Sequence, residues 1–295
     1  MTGIVVDAHQ HVWDLERAEY SWLDGSSAPI DRTITIDEVK PALRRAGIDG
    51  TVLVQSADNA EDTALMFDVA AGNPEVLGVV GYVPLGRPAD AARVLGELRA
   101  NPLFVGVRNL IHDMPDPDWL LRPEVDESLG LLEQAGVPFD LVAVLPRHLE
   151  LVPIISERHP ALRIVIDHLA KPPVGLDSLE PWSSLMARAA ENPHVFAKAS
   201  GLYSAAGDPG SWTPASVRPA FDRALSLFGA NRLMYGGDWP ISILAGGYER
   251  VWAGLTELFA GLASPERAAI LGDTAVSFYG LDGERVTNIR ASLGE

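Results

Sequence analysis

Two histidines one residue apart are the first candidates for chemistry in this sequence. His9 and His11 follow the short β-branched run Ile4–Val6. Because strand side chains alternate between faces, an extended segment would place Asp7, His9 and His11 on one face and Ala8 on the other. Two imidazoles about 7 Å apart along one face can converge on a single point. They could bind a metal ion or donate to one carbonyl, although an isolated His-x-His pair also occurs at strand ends that contact only solvent.

Further polar side chains stand directly after apolar, strand-like runs later in the chain. They are Arg108, His168, Lys171, Lys198 and Asp238. A carboxylate among cationic or donor groups stays ionised and can act as a base on water. Histidine, lysine and arginine can stabilise the oxyanion that develops when water adds to a carbonyl. These residue types suit hydrolysis, provided that the fold brings them together.

The elements that must position these residues alternate along the chain. Eight apolar strands are predicted at Ile4–Val6, Thr51–Val54, Val76–Val83, Phe104–Val107, Phe139–Leu145, Leu162–Ile166, Val195–Ala197 and Leu233–Tyr235. Amphipathic helices are predicted between them, and a last helix over roughly Pro265–Phe278. This pattern predicts an α/β fold, a (β/α)8 TIM barrel with an extra C-terminal helix, as a single domain over residues 1–295. A doubly wound sheet is the alternative, but no Gly-x-Gly-x-x-Gly follows any strand.

A barrel would bring the polar residues to one mouth, because its active sites form at the carboxyl ends of the strands. Two long loops, 13–34 and 202–215, follow the first and seventh strands and would lie over this face. Aromatic residues in the loops on this side could form walls for a sugar ring. They are Trp13, Trp22, Trp212, Trp239 and Tyr203.

The composition of the chain limits its possible binding partners and its cellular location. The chain has 40 acidic and 23 basic residues and a formal charge of −17, which argues against nucleic acid and anionic membranes. Cysteine is absent, which excludes disulfides, thiol nucleophiles and cysteine-bound zinc. No signal peptide precedes the first strand, and no apolar run approaches the roughly 20 residues that span a bilayer. We expect a soluble, cytoplasmic protein that acts on a small molecule, and the oligomeric state stays open.

Motifs spread over the chain resemble those of the amidohydrolase superfamily. They include Asp7-Ala8-His9-Gln10-His11, Gly106-Val107-Arg108, Ile166-Asp167-His168-Leu169-Ala170-Lys171-Pro172, Lys198-Ala199-Ser200-Gly201-Leu202 and Gly237-Asp238-Trp239-Pro240. The sequence is most similar to the sugar-lactonase branch, which contains L-fucono-lactonase and L-rhamnono-lactonase. Each motif alone would be a weak signal, but together they are specific.

The resemblance implies a hydrolase that opens a sugar-derived lactone to its hydroxy acid. It implies that Asp238 is the general base, that His9, His11 and His168 polarise the lactone carbonyl, and that Arg108 binds substrate. The full set of substrate-binding candidates is Arg108, His112, Lys171, Lys198, Trp13 and Trp239. The chain departs from the family at two places. Relatives carry a Gln and an acid where this chain has His112 and Met114, and Thr-Glu-Ala where it has Tyr203-Ser204-Ala205. The particular lactone therefore stays open.

The metal content is also open. A single zinc ion has four candidate ligands, His9, His11, His168 and Asp238. However, predicted strand five carries Asp140 and lacks the histidine of the superfamily's mononuclear zinc sites, and Arg108 replaces the bridging residue of two-metal sites. We expect a site that requires no metal, with one divalent ion, zinc, as the alternative. The rival functions are a zinc-dependent amidohydrolase or decarboxylase, and a non-catalytic sugar-acid binding protein.

Other polar residues have structural interpretations. Asp7 is expected to orient a histidine, Asp167 to point to the strand face opposite His168, and Asp140 to be either a buried hydrogen-bonding residue or part of the site. Arg108 could instead pair with Asp113 or Asp140. Three histidines are expected outside the site: His148 and His159 on the surface, and His194 at the amino end of strand seven.

Overall fold

The structure is a computed structural model that describes residues 3–25, 28–205, 208–283 and 285. Eight parallel strands follow one another in sequence order around one sheet. They are β1 (Val6–Gln10), β2 (Gly50–Val54), β3 (Val76–Gly81), β4 (Phe104–Asn109), β5 (Phe139–Leu141), β6 (Ile164–Ile166), β7 (Val195–Ala199) and β8 (Leu233–Tyr235). A parallel bridge between Gln10 and Trp239 joins the two ends of the sheet. The predicted (β/α)8 barrel is confirmed.

Helices connect the strands, as parallel pairing requires. They are α1 (Lys40–Ala46), α2 (Ala60–Gly72), α3 (Pro88–Leu98), α4 (Pro123–Ala135), α5 (Pro146–Arg158), α6 (Trp182–Ala190), α7 (Pro214–Phe228) and α8 (Tyr248–Phe259). Their ends follow local chemistry: Thr213 caps the first turn of α7, and Gly136 ends α4 in the left-handed region at φ 66°.

The predicted last helix is present as three consecutive pieces. They are α9 (Ser264–Ala268), a π-helix (Ala269–Asp273) and α10 (Thr274–Tyr279). Gly272 in the π-helix packs against the carbonyl of Ile4, where a larger residue would collide with the backbone. Among the described residues, no helix combines the length and the apolar character needed to cross a bilayer.

Two layers of side chains make up the core. The larger cluster lies between the strands and the surrounding helices. The smaller one contains strand residues such as Val6, Ala8, Val52 and Val165 together with Phe278 and Tyr279 of α10, and we assign it to the barrel interior. Polar side chains replace the apolar ones toward the carboxyl ends of the strands, and this change creates the site.

The first strand does not follow the simple alternation expected from its sequence. Its pairing with β2 shifts register between Asp7 and Gln10. As a result, Ala8 belongs to the interior cluster while the next residue, His9, still reaches the polar centre of the barrel. Asp7 instead meets Gly237 and Tyr248. The expectation that Asp7 and His9 share one face was wrong because a bulge changes which way successive side chains point.

Candidate active site

A cavity of about 220 Å³ opens at the carboxyl ends of the strands. Its walls contain His11, Trp22, Ser56, Arg108, Leu110, His112, Val142, His168, Lys171, Asp238 and Ile241. Six of the predicted site residues are in this set. His9 lies behind the wall, with no exposed surface.

The two histidines of the first motif converge as expected from their spacing. Their Nε2 atoms lie 3.1 Å apart, and the two rings pack edge to face. His11 Nδ1 lies 2.6 Å from the carbonyl oxygen of Val54. Because a carbonyl only accepts, His11 must carry a proton on Nδ1, so a neutral His11 has a bare Nε2.

Asp238 lies beside both imidazoles. Its Oδ1 is 3.6 Å from His11 Nε2 and 3.9 Å from His9 Nε2, and its Oδ2 accepts a 2.8 Å hydrogen bond from the hydroxyl of Tyr203. Burial alone would raise the pKa of Asp238, but the adjacent histidines, His168 first among them, lower it below its ordinary value. The carboxylate is therefore ionised at neutral pH and can accept a proton from water.

His168 reaches the same centre from a strained turn after β6. It has φ 54°, which is uncommon outside glycine, and its ring centroid lies 4.6 Å from that of His9. Its Nδ1 contacts Ser200 Oγ at 2.9 Å. A side chain at Gly201 would collide with His168 and with Asp238, so the glycine of the motif Lys198–Leu202 has a steric reason. Burial lowers the pKa of His168 to about 4, so its imidazole is neutral at neutral pH.

Lys198 is not positioned to bind substrate directly. It is fully buried below the cavity, where its Nζ donates to Asp140 Oδ2 at 2.6 Å and to His9 Nδ1 at 3.0 Å. Asp167 Oδ1 lies 3.1 Å from the same ammonium group. The substrate-binding prediction for Lys198 was wrong because its strand position sets it one layer deeper than the cavity wall.

The aspartates around Lys198 correct one further expectation, for Asp167, and favour one of the two alternatives for Asp140. Asp167 faces the barrel interior with Lys198 and His9, and does not point to the opposite face of the strand. Burial would raise the pKa of Asp167, but the Lys198 charge holds it well below the ordinary range. Asp140 is a buried hydrogen-bonding residue that also accepts from the hydroxyl of Tyr279 at 2.7 Å, and burial raises its pKa to about 6.

Arg108, His112 and Lys171 stand at the cavity, as predicted. Arg108 is almost fully buried, and its Nη1 lies 3.2 Å from His9 Nε2 and 3.6 Å from Asp167 Oδ2. Its ion-pair partner is thus Asp167, and not Asp113 or Asp140, the two aspartates proposed from the sequence. Burial and then the Arg108 charge lower the pKa of His112 to about 3. Among the described residues, the ammonium of Lys171 has no ion-pair partner.

The predicted aromatic walls are only partly found. Trp13 is buried, and its indole N–H donates to the carbonyls of Ile30 and Arg32, outside the cavity. Trp22 packs edge-on against Trp13 with 5.1 Å between ring centroids, and it forms the wall instead. Trp239 is also buried outside the lining, and its carbonyl accepts from His11 N. Trp13 and Trp239 therefore support the site from behind.

Several residues outside the cavity have clear structural contacts. Asp7 accepts from the backbone N–H groups of His9 and Gly237, and within the described part of the chain it has no hydrogen bond to an imidazole. His148 and His159 are buried, contrary to expectation: His148 Nδ1 accepts from backbone N–H groups at the start of α5. His194 is exposed at the amino end of β7, as expected.

Sequence reasoning did not assign the hydrogen-bonding roles of Tyr203 and Ser200. The sequence predicts Tyr203 as a possible aromatic wall and as a departure from the family motif, and Ser200 only as part of the motif Lys198–Leu202. Both touch site residues, Asp238 and His168 respectively. The signal available was their position after β7, at the catalytic end of the barrel. The side chains of Ser204 and Ala205 lie outside the described part of the structure.

The fold and the site define a barrel hydrolase of the amidohydrolase type. The amidohydrolase family model matches residues 6–281, and the chain belongs to this family. It is 36% identical to an L-fucono-1,5-lactonase of Burkholderia ambifaria over 94% of this chain and 96% of the relative. An L-fucono-1,5-lactonase of Burkholderia multivorans is 31% identical, with 95% of this chain and 97% of the relative covered. A crystal structure of an amidohydrolase from Burkholderia multivorans with bound zinc has a TM-score of 0.86 at 27% identity, covering 95% of this chain and 100% of that one.

The zinc in that relative makes the fit of a metal worth testing here. His9, His168 and Asp238 have ligand atoms within 4.8 Å of one another, and the bare Nε2 of His11 faces the same point. However, His9 has a cation on each ring nitrogen: Lys198 at Nδ1 and the Arg108 guanidinium 3.2 Å from Nε2. A divalent cation bound through His9 would be repelled by both. As arranged, these residues do not fit zinc bound through His9.

Proposed function

We propose that this protein hydrolyses a sugar-derived lactone to its hydroxy acid, in the cytoplasm and without a required metal. The observation that carries the proposal is the ionised carboxylate of Asp238 within 4 Å of two imidazoles, in a cavity rich in hydrogen-bond donors. The similarity of this chain to two L-fucono-1,5-lactonases over almost its whole length supports the same reaction class.

The proposed reaction begins with a water molecule between Asp238 and the lactone carbonyl. Asp238 takes a proton from this water while its oxygen attacks the carbonyl carbon, and the bare Nε2 of His11 can accept the second hydrogen bond of the water. The resulting tetrahedral intermediate carries negative charge on the former carbonyl oxygen. When the ring C–O bond breaks, the alkoxide regains the proton held by Asp238, so the products are a carboxyl group and a hydroxyl group.

The donors that line the cavity would stabilise the oxyanion. They are Arg108 on β4, and His168 and Lys171 in the turn after β6. A preorganised donor contributes roughly 3–4 kcal/mol to the transition state, so two or three can supply the charge stabilisation that a metal would otherwise give to an ester with a tethered alkoxide leaving group. The cavity also needs cationic side chains near the reacting carbonyl, because the overall formal charge of −17 on the chain repels an anionic intermediate.

The cavity walls suit a small ring. Trp22 and Ile241 supply apolar surface, while His112 remains neutral and can exchange hydrogen bonds with substrate hydroxyls. Arg108, His112 and Lys171 are the proposed substrate-binding residues. We do not retain Trp13, Trp239 or Lys198 in direct contact with substrate, because all three lie outside the lining.

A panel of aldono-1,4- and 1,5-lactones, including L-fucono-1,5-lactone, tests this proposal. Hydrolysis releases acid, so a pH indicator at neutral pH reports the rate, and the protein is assayed before and after dialysis against a chelator, with metal content measured on the same sample. We expect turnover of at least one lactone, unchanged by the chelator. Loss of activity that only zinc restores would instead support a zinc-dependent hydrolase.

Decarboxylation and simple sugar-acid binding have less support. Decarboxylases with this fold are only 14–17% identical to the chain, which shows a shared fold and nothing more. A non-catalytic sugar-acid binding protein would have lost the base or the histidines, and Asp238, His11 and His168 all remain at the cavity.

A further inference from the structure

Two neighbouring loops each supply one wall residue of the cavity, and these two residues are bonded to each other. Trp22 belongs to the loop 13–34 after β1, and Ser56 follows β2. The indole N–H of Trp22 donates to the carbonyl of Ser56 at 2.8 Å. Because loops are the more mobile parts of a fold, a wall built from two of them keeps its shape only if both are held. The contacts that hold both converge behind the wall, at Asp62.

Asp62 is a fully buried carboxylate that binds both loops. It lies in the first turn of α2 and has no exposed surface. Its Oδ1 accepts from the hydroxyl of Tyr20 at 2.9 Å and from Ser56 Oγ at 3.2 Å, and its Oδ2 accepts from the backbone N–H of Ser56 at 2.9 Å. All three partners have a proton to donate, so a single carboxylate can satisfy them together.

Tyr20 is the contact through which Asp62 reaches the loop that carries Trp22. Its side chain is buried two residues before Trp22. Burial and then the Asp62 charge raise the pKa of Tyr20 above its ordinary value, so its hydroxyl stays protonated and can donate. The ring of Trp13 packs between the two, 6.4 Å from the Tyr20 ring and 5.1 Å from the Trp22 ring, measured between centroids. The position of Trp22 therefore depends on the contact between Tyr20 and Asp62.

We propose that Asp62 is a positioning residue which, through Tyr20 and Ser56, holds Trp22 as the wall against which the substrate ring packs. Asp62 is not among the residues that line the cavity, so it acts through the two loops and does not touch substrate. An indole face binds the apolar face of a ring throughout the reaction, so its correct position favours substrate binding more than the chemical step. The proposal rests on the proposed lactonase function for the nature of the substrate, while the position of Trp22 can be measured without it.

A second contact between the same loop and the same helix is exposed, and it provides a matched control. Arg17 of the loop forms a 2.6 Å ion pair with Asp68 of α2, and their side chains are 42% and 67% exposed. Exposed ion pairs contribute little because solvent screens them. The variants Asp62→Asn and Asp68→Asn make the same chemical change on one helix, but only the first alters a buried contact to the loop.

The position of Trp22 is tested by fluorine NMR of protein labelled with 5-fluorotryptophan. The chain has seven tryptophans, and the Trp22→Phe variant identifies the Trp22 signal. We expect Tyr20→Phe and Asp62→Asn to shift or broaden this signal, and Asp68→Asn to leave it unchanged. A wild-type Trp22 signal in folded Tyr20→Phe would overturn the proposal, as would an equal shift in Asp68→Asn. If Asp62→Asn does not fold, Tyr20→Phe still decides, because it leaves the carboxylate in place.

Kinetics with a lactone that the wild type hydrolyses test the effect on binding. Tyr20→Phe should raise KM about 10-fold with kcat little changed. In a Trp22→Ala background the same change should have no further effect on KM, because the contact then has no wall to hold. A lower kcat with unchanged KM, or an equal rise in KM in the Trp22→Ala background, would contradict the proposal. If the wild type hydrolyses no lactone, the proposed function fails, and the fluorine spectra still decide whether Asp62 positions Trp22.

Discussion

The carboxylate of Asp238 is held by groups that act in opposite directions on its pKa. Burial favours the neutral acid, while the neighbouring histidines and the hydroxyl of Tyr203 favour the anion. Burial and the Asp238 charge raise the pKa of Tyr203 well above its ordinary value, so this hydroxyl stays protonated and remains a donor. Tyr203 therefore helps to keep the base ionised although its carboxylate is almost fully buried.

Replacing Tyr203 with Phe should raise the pKa of Asp238. Without the 2.8 Å hydrogen bond, the anion loses stabilisation, so the pKa of Asp238 rises and the acid limb of the kcat/KM profile moves to higher pH. A hydrogen bond to a charged group contributes about 1.5–3 kcal/mol, so we expect the limb to move by about one pH unit or more. The measurement is kcat/KM for lactone hydrolysis across the acid range.

The control is Tyr235→Phe, which removes another buried hydroxyl. Tyr235 OH lies 3.3 Å from Tyr248 OH and has no hydrogen bond to Asp238 among the described residues. The acid limb should stay in place for this variant. An equal displacement in both variants would show that loss of any buried hydroxyl, and not the contact with Asp238, causes the effect.

Polar residues at the ends of predicted strands identified the six candidates at the cavity. The sequence could not show how deeply each side chain is buried. Lys198 and Lys171 both follow predicted strands, yet Lys198 lies within β7 and is fully buried, while Lys171 lines the cavity. Trp13 and Trp22 share one loop, and only the folded loop determines that Trp22 faces the cavity. How deeply a side chain is buried and which way it points depend on strand register and loop packing, which a single sequence does not specify.

At the level of elements, the closure between β1 and β8 positions the base. Asp7 Oδ1 accepts from the N–H of Gly237 at 2.8 Å, and the N–H of Asp238 donates to the carbonyl of His9 at 2.8 Å. Asp7 Oδ2 is bound by the hydroxyl of Tyr248 on α8. These bonds tie the segment that carries Asp238 to the strand that carries the histidines. The bulge in β1 that permits this arrangement has no signature in the alternation of residue types.

Substitution of Gly237 by Ala should disturb this closure. An added Cβ would overlap the ring of Tyr248 and the carboxylate of Asp7, so one of the contacts must shift. Overpacking of this kind costs about 1–3 kcal/mol, and we expect a matching loss in the free energy of unfolding together with lower kcat. Urea denaturation and lactone kinetics measure the two effects.

Gly72→Ala is the matched control for this prediction. Gly72 is the last residue of α2, and nothing lies within 4 Å of an added Cβ. The same chemical change should therefore leave kcat unchanged and alter stability by no more than about 1 kcal/mol. If Gly237→Ala is as harmless as Gly72→Ala, the closure does not determine the position of Asp238.

For the whole molecule, the alternation of eight strands and helices was sufficient to predict the barrel, because parallel strands require crossover helices and eight such units close. The single domain over residues 1–295 stays a prediction. The barrel brings residues from positions 11, 108, 168 and 238 to one cavity. This convergence explains how a chain with a formal charge of −17 can present a local cluster of donors to a carbonyl oxygen.

The most direct test of the central claim is the lactone hydrolysis rate of Asp238→Asn beside wild type, both treated with chelator. Asn is close in size to Asp and tolerates the left-handed backbone at this position, φ 52°, so the fold should persist, as thermal melting can verify. Loss of a general base should lower kcat by about 10²–10⁴-fold. A folded Asp238→Asn protein with turnover near that of wild type would contradict the account.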